Sequence, residues 1–91
     1  MKKQVLIKVY GLVQGILLRY MTRERARELD IDGYVKNLTD GSVEIMANGQ
    51  EKSVNYLINW LKASPGQSQV TDLKLKWQEP DNSWKGFQVL F

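Results

Sequence analysis

The chain has 91 residues, of which 43% are apolar, 25% charged and 10% aromatic, the profile of one ordinary globular domain spanning residues 1–91. It contains no cysteine and no histidine. That excludes disulfides, thiolate or imidazole metal sites, the Ser–His–Asp triad and the Cys–His dyad. Thirteen Lys and Arg against ten Asp and Glu leave a formal charge of +3, a mild basic bias that suits an anionic ligand and does not demand one.

No apolar run approaches the roughly 18 residues that a membrane span needs. The start, Met1-Lys2-Lys3, is positive, but Lys8 breaks the apolar stretch behind it, so neither a signal peptide nor a membrane association is expected. A cytoplasmic protein is the default, and the length from Met1 to a sheet residue at the end argues for a complete unit.

The hydrophobic pattern changes period along the chain. Val5 to Tyr10 is mostly apolar on both faces, as in a covered central strand. Gly11-Leu12-Val13-Gln14-Gly15 reads as a loop. From Leu18 to Leu29 the period is helical, with Leu18, Thr22, Ala26 and Leu29 on one face and the run Arg23-Glu24-Arg25-Ala26-Arg27-Glu28 placing charges on a solvated side. Asp32-Gly33 marks a turn before a short strand, Tyr34 to Asn37. Asp40-Gly41 closes a hairpin, and Ser42 to Asn48 alternates as a half-buried strand.

Val54, Leu57, Ile58 and Leu61 define a second helix, stopped by Pro65-Gly66. Leu73, Leu75 and Trp77 alternate with Lys74 and Lys76, the signature of an edge strand. Phe87 to Phe91 closes the chain as a short strand. The order β-α-β-β-α-β-β predicts a ferredoxin-like α/β (α+β) sandwich, with a mixed sheet and both helices on one face. Such a fold hosts enzymes, nucleic-acid binders and regulatory modules alike.

A glycine loop running into a helix is an anion site in outline, because the first N–H groups of a helix lack partners and its dipole is positive there. Arg19, in the first turn, adds a planar, permanently charged fork. A right-handed β-α-β crossover brings the ends of the first two strands to one sheet edge, which puts Asn37 beside that loop.

These residues also carry a family resemblance. Gly11-Leu-Val-Gln-Gly15-Ile-Leu-Leu-Arg19, Gly33-Tyr34-Val35-Lys36-Asn37, Asp40-Gly41-Ser42-Val43-Glu44, Trp60-Leu61 and Gly86-Phe87 closely resemble the acylphosphatase family almost end to end. The resemblance implies hydrolysis of a carboxyl–phosphate anhydride to a carboxylate and phosphate. It implies Arg19 as the phosphate-binding arginine, the backbone of Gly15, Ile16, Leu17, Leu18 and Arg19 as a phosphate cradle, and Asn37 as the holder of the attacking water. No cofactor and no metal are implied. The expected partners are a small acyl phosphate and inorganic phosphate, on a monomer.

Three positions depart from the family pattern. Leu18 stands where an aromatic residue anchors the loop, Asp30 where the helix usually ends in glycine, and Ser64-Pro65 where Gly-Pro is typical. The alternatives are an inactive relative, a domain of a larger carbamoyl-phosphate-handling enzyme, and a nucleic-acid-binding module. The last is disfavoured because the two central strands offer only Tyr10 for stacking.

Overall fold

The computed structural model describes residues 1–91, apart from the side chain of Ile16. Seven elements follow in order: β1 (Lys2–Leu12), α1 (Ile16–Glu28), β2 (Asp32–Asn37), β3 (Val43–Gln50), α2 (Glu51–Lys62), β4 (Gln69–Gln78) and β5 (Phe87–Leu90). The five strands form one sheet in the order β4-β1-β3-β2-β5. β3 is antiparallel to both β1 and β2, and β5 joins the edge parallel to β2. This is the expected ferredoxin-like sandwich, with β4 at the other edge. None of its helices is long and apolar enough to cross a membrane among the described residues.

The inner face of the sheet carries Val5, Ile7, Val9, Val35, Val43, Ile45 and Ala47, all fully buried under the two helices. From α2 come Val54, Leu57, Ile58 and Leu61, the four residues that its period singled out. From α1 come Leu18 and Ala26. Leu18 is therefore an adequate anchor, buried in the core where the family pattern has an aromatic ring.

Several sequence-based boundaries move. Gly11 and Leu12 belong to β1 rather than to the loop, because β1 continues its pairing with β4 past a register shift at Tyr10/Gly11. Helix α1 begins at Ile16, two residues before its apolar period becomes visible. Asp32 and Gly33 lie inside β2, so the turn falls earlier, at Leu29-Asp30. β3 is covered on both faces rather than half-buried: Asn48 is fully buried, donating through Nδ2 to Gln4 Oε1 (2.9 Å) and to the Asp81 carbonyl (2.8 Å) of the β4–β5 connection. The outer face is thus partly roofed by that connection.

The run from Arg23 to Glu28 is also less solvated than its composition implies. The Arg25 guanidinium lies over the Trp60 ring, 5.5 Å from its centroid, and Arg23 lies over Tyr20 at 4.9 Å. Arg27 Nε donates to the Phe87 carbonyl at 3.3 Å, and Arg19 Nη1 reaches the Leu90 carbonyl at 3.4 Å. Arg27 thereby covers an outward carbonyl of the edge strand β5, which would otherwise invite another strand.

Both helices end on a non-glycine residue with positive φ, Asp30 (56°) and Ser64 (55°). At Asp30 the cap is a full one: Ile31 N–H donates to the Ala26 carbonyl and Asp30 N–H to the Arg27 carbonyl. Ser64 differs, since its hydroxyl oxygen accepts the Val70 N–H at 2.9 Å and ties the helix end to the start of β4. Asp30→Gly is expected to stabilise the fold by roughly 0.5–1 kcal/mol by removing left-handed strain. Ser64→Gly gives no such gain, because the Val70 N–H loses its acceptor. Chemical denaturation midpoints of the two variants check the contrast, and an equal response at both sites would contradict it.

Candidate functional site

Because β1 and β2 both oppose β3, they run parallel to each other and end at the same edge of the sheet. β5, parallel to β2, ends there too. Three strand ends, the start of α1 and the β2–β3 turn therefore converge. In open sheets built this way, ligands lie outside the carboxyl ends of parallel strands.

The two glycines of the β1–α1 segment have different reasons to be glycine. At Gly11, φ is +124° and a Cβ would stand 2.0 Å from the Gln69 carbonyl oxygen, so the close approach of β4 demands it. Gly15 has extended backbone, with φ 165° and ψ 150°, and a Cβ there would meet no protein atom within 4 Å. Neither conformation nor packing within the chain requires glycine at position 15. The space in front of it is open, at the start of a helix with no side-chain cap and no acidic residue in its first turn. The N–H groups there are donors without intrahelical partners, backed by the positive end of the helix dipole.

Arg19 and Asn37 both belong to the β2–β5 side of this edge, Arg19 through its reach to Leu90 and Asn37 as the last residue of β2. Arg19 is held by its Leu90 contact and by the Phe91 ring, whose centroid lies 4.8 Å from the guanidinium carbon. Leu90 is in register with Lys36, the residue before Asn37, so Arg19 is anchored at the level where β2 ends. Asn37 falls on the helix-facing side of β2, in phase with Val35. Among the described residues, four buried side-chain polar atoms lack a hydrogen-bond partner, and two of them are Arg19 Nε and Asn37 Oδ1. A buried donor and a buried acceptor left unpaired at one sheet edge are costly in the free protein, each by about 1–3 kcal/mol. Such a pair is what a polar ligand would satisfy. The other two atoms, Arg23 Nε and Asn48 Oδ1, lie away from the loop, and nothing in the structure explains them.

Gln14 is the site-edge residue that sequence reasoning missed. Its Nε2 donates to the carbonyls of Leu38 (2.6 Å) and Ser42 (3.0 Å), clamping the loop before α1 onto the β2–β3 turn that follows Asn37. The available signal was a lone amide side chain in an otherwise apolar and glycine-rich stretch. The turn is braced from its other side by Asp40, which accepts from the Ser42 backbone N–H and hydroxyl and pairs with Lys8 Nζ at 2.9 Å. Of the Asp40-Gly41 pair, only Gly41 has positive φ. The Ser42 hydroxyl, and after it Lys8, hold the Asp40 carboxyl well below the ordinary carboxylate range.

A groove of about 750 Å³ opens on the other flank of the loop, lined by residues 11–15, Leu17, Leu18, Met21, Gly41 and the segment 65–68. Arg19 and Asn37 are not part of its wall. Among the described residues, no group of three or more His, Cys, Asp or Glu is placed to hold a metal ion.

The fold and this edge define a class: a ferredoxin-like sandwich with an anion-ready helix start flanked by an arginine and an asparagine. Comparison with known proteins names the family. The acylphosphatase family model matches residues 5–89, and the chain belongs to that family of enzymes. An acylphosphatase of Caldanaerobacter subterraneus subsp. tengcongensis is 39% identical over 89 residues, covering 98% of this chain and 99% of its own. The crystal structure of an acylphosphatase from Bacillus subtilis superposes with a TM-score of 0.92 at 32% identity, each chain fully covered. That of an acylphosphatase from Coxiella burnetii gives 0.90 at 32% identity, covering 98% of this chain and 93% of that one.

A carboxyl depressed in the folded state contributes stability above its ordinary pKa, near 4, and loses it as pH falls toward the folded value. Asp40 is therefore expected to supply part of the acid limb of the stability curve. Asp40→Asn should lower the denaturation midpoint at pH 6 and reduce the further loss between pH 6 and pH 3. A variant whose midpoint falls in parallel with the parent over that range would show that the turn is held by other contacts.

Proposed function

We propose that the protein hydrolyses acyl phosphates to a carboxylate and inorganic phosphate, with Arg19, Asn37 and the backbone of residues 15–19 doing the chemistry. The family supplies the reaction class. The observation that carries the residue assignment is the pairing of a partnerless buried donor, Arg19 Nε, with a partnerless buried acceptor, Asn37 Oδ1, beside an uncapped helix start.

In this reading the phosphate dianion sits against the N–H groups of Gly15, Ile16, Leu17, Leu18 and Arg19. A glycine without a Cβ lets it come close. Arg19 gives one N–H to the Leu90 carbonyl, which fixes the guanidinium and leaves Nε and further donors for the phosphate. Asn37 Oδ1 accepts a hydrogen bond from a water and aims its oxygen at phosphorus. As the new P–O bond forms, the bond from phosphorus to the acyl oxygen breaks, and the carboxylate leaves with the electron pair. The water's proton passes to a phosphate oxygen, so the products are a carboxylate and dihydrogen phosphate.

A carboxylate leaves without protonation, so no acid catalyst is needed and the absence of histidine is no obstacle. Positioning and charge stabilisation on the equatorial oxygens carry the rate. The reading assigns no step to a metal or cofactor, and takes the protein as a monomer of the cytoplasm that uses small-molecule substrates.

Benzoyl or acetyl phosphate is expected to turn over, in the presence of EDTA as in its absence, while an alkyl phosphate monoester is hydrolysed far more slowly. Arg19→Gln should weaken inhibition by inorganic phosphate by about 10–100-fold, the worth of a charge-assisted hydrogen bond, and lower kcat as well. Asn37→Ala should lose about 100-fold in kcat while phosphate inhibition persists. Gly15→Ala should keep its denaturation midpoint yet bind phosphate poorly. Near-normal kcat in a folded Asn37→Ala protein would overturn the water-holding role. Unchanged phosphate inhibition in Arg19→Gln would place the anion elsewhere.

A further inference from the structure

The groove beside the loop has no role in the chemistry above, yet it begins where the phosphate cradle begins. Gly15, Leu17 and Leu18 belong to both. Its apolar wall is built by Leu12, Val13, Leu17, Leu18, Met21 and Pro65. Leu12 is 71% exposed and Leu17 is 65% exposed, large aliphatic side chains left in water beside a concave surface. Among the described residues, none that lines the groove carries a charge. The far wall is held in shape: Ser68 N–H and Oγ both donate to the Pro65 carbonyl, and Ser64 bonds Val70 N–H.

Its direction from the phosphate matters most. In an in-line displacement the attacking water and the leaving oxygen lie on opposite sides of phosphorus. Asn37 ends β2, toward the β5 side of the sheet, whereas the groove lies against the end of β1 and the segment leading into β4. On helix α1 the division is repeated, with Arg19 facing β5 and the pair Leu17 and Met21, one turn apart, facing the groove.

We propose that this groove receives the acyl group, and that the protein therefore favours acyl phosphates with extended aliphatic or aromatic acyl groups over acetyl, carbamoyl or charged ones. The inference rests on the phosphate site proposed above. The groove is uncharged, apolar and on the leaving-group side of the phosphate, so an apolar acyl chain loses water contact there and a charged one gains no partner.

The test is a series of acetyl, butanoyl and hexanoyl phosphates, whose carboxylate leaving groups are nearly equal in basicity, so that differences report contacts. The expected result is a kcat/KM that rises by on the order of tenfold from acetyl to hexanoyl, mainly through KM. In a Leu12→Ser, Met21→Gln protein that dependence on chain length should disappear, while the inhibition constant of inorganic phosphate, which has no acyl group, stays the same. If the double variant does not fold, Leu12→Ser alone, at an exposed position, should weaken the dependence by roughly half. A parent that hydrolyses all three substrates with equal kcat/KM would overturn the groove assignment and leave the hydrolase reading standing. A folded variant that loses phosphate inhibition together with the chain-length dependence would show that these residues support the loop, and would also overturn it. A parent that neither hydrolyses any of the three nor binds phosphate would overturn both.

Discussion

One strand, β3, lies between β1 and β2 and runs against both, and the candidate site depends on that arrangement. With β3 between them, β1 and β2 are parallel and finish at the same level. The helix that leaves β1 starts there, and the turn that leaves β2 begins there. Asn37 is thereby brought across one strand from a helix start that is its distant neighbour in sequence. Gln14 then locks the two segments together with two hydrogen bonds to turn carbonyls. Much of the helix-facing side of this sheet is fully buried aliphatic surface, so the geometry of the edge is set by a rigid core rather than by the loop itself.

On that scaffold the polar groups are left partly unsatisfied. Arg19 is anchored by Leu90 and Phe91 but keeps an unpaired Nε, and Asn37 keeps an unpaired Oδ1. On the outer face Asn48 Nδ2 and the Asp81 N–H share Gln4 Oε1 as acceptor, whereas Arg19 Nε and Asn37 Oδ1 go unpaired at the edge where the proposed phosphate and water would sit. Gly15 belongs to the same account, since nothing in the chain itself asks for glycine there. Preorganised donors of this kind act on charge without moving, and they suit a reaction whose leaving group needs no help.

Much of this was legible in the sequence because it is local or topological. The period of α2 gave its buried face, and the alternating lysines of β4 gave an edge strand. Asp30 was marked by the missing glycine at a helix end, and it is left-handed. That the segment leading to Arg19 and the end of β2 at Asn37 share one sheet edge followed from the handedness of a β-α-β unit. Other features depend on partners far along the chain. Gln14 was silent because its acceptors are carbonyls 24 and 28 residues away. Gly11 was placed in a loop because its strand partner, β4, is remote. Arg25 looked solvated because the ring it stacks on, Trp60, belongs to the other helix, whereas the Arg23–Tyr20 contact is an i, i+3 pair within α1. The burial of Asn48 depends on a connection more than thirty residues later.

The most direct test of the central claim, a phosphate site made by the helix start with Arg19 and bordered by Asn37, is a titration of the nitrogen-labelled protein with inorganic phosphate. Amide chemical shifts are followed residue by residue. The account predicts saturable shifts that are largest at Gly15, Leu17, Leu18 and Arg19, that reach the Asn37 side-chain amide, and that weaken strongly in Arg19→Gln. Saturable shifts centred elsewhere, or a titration that Arg19→Gln leaves unchanged, would contradict it.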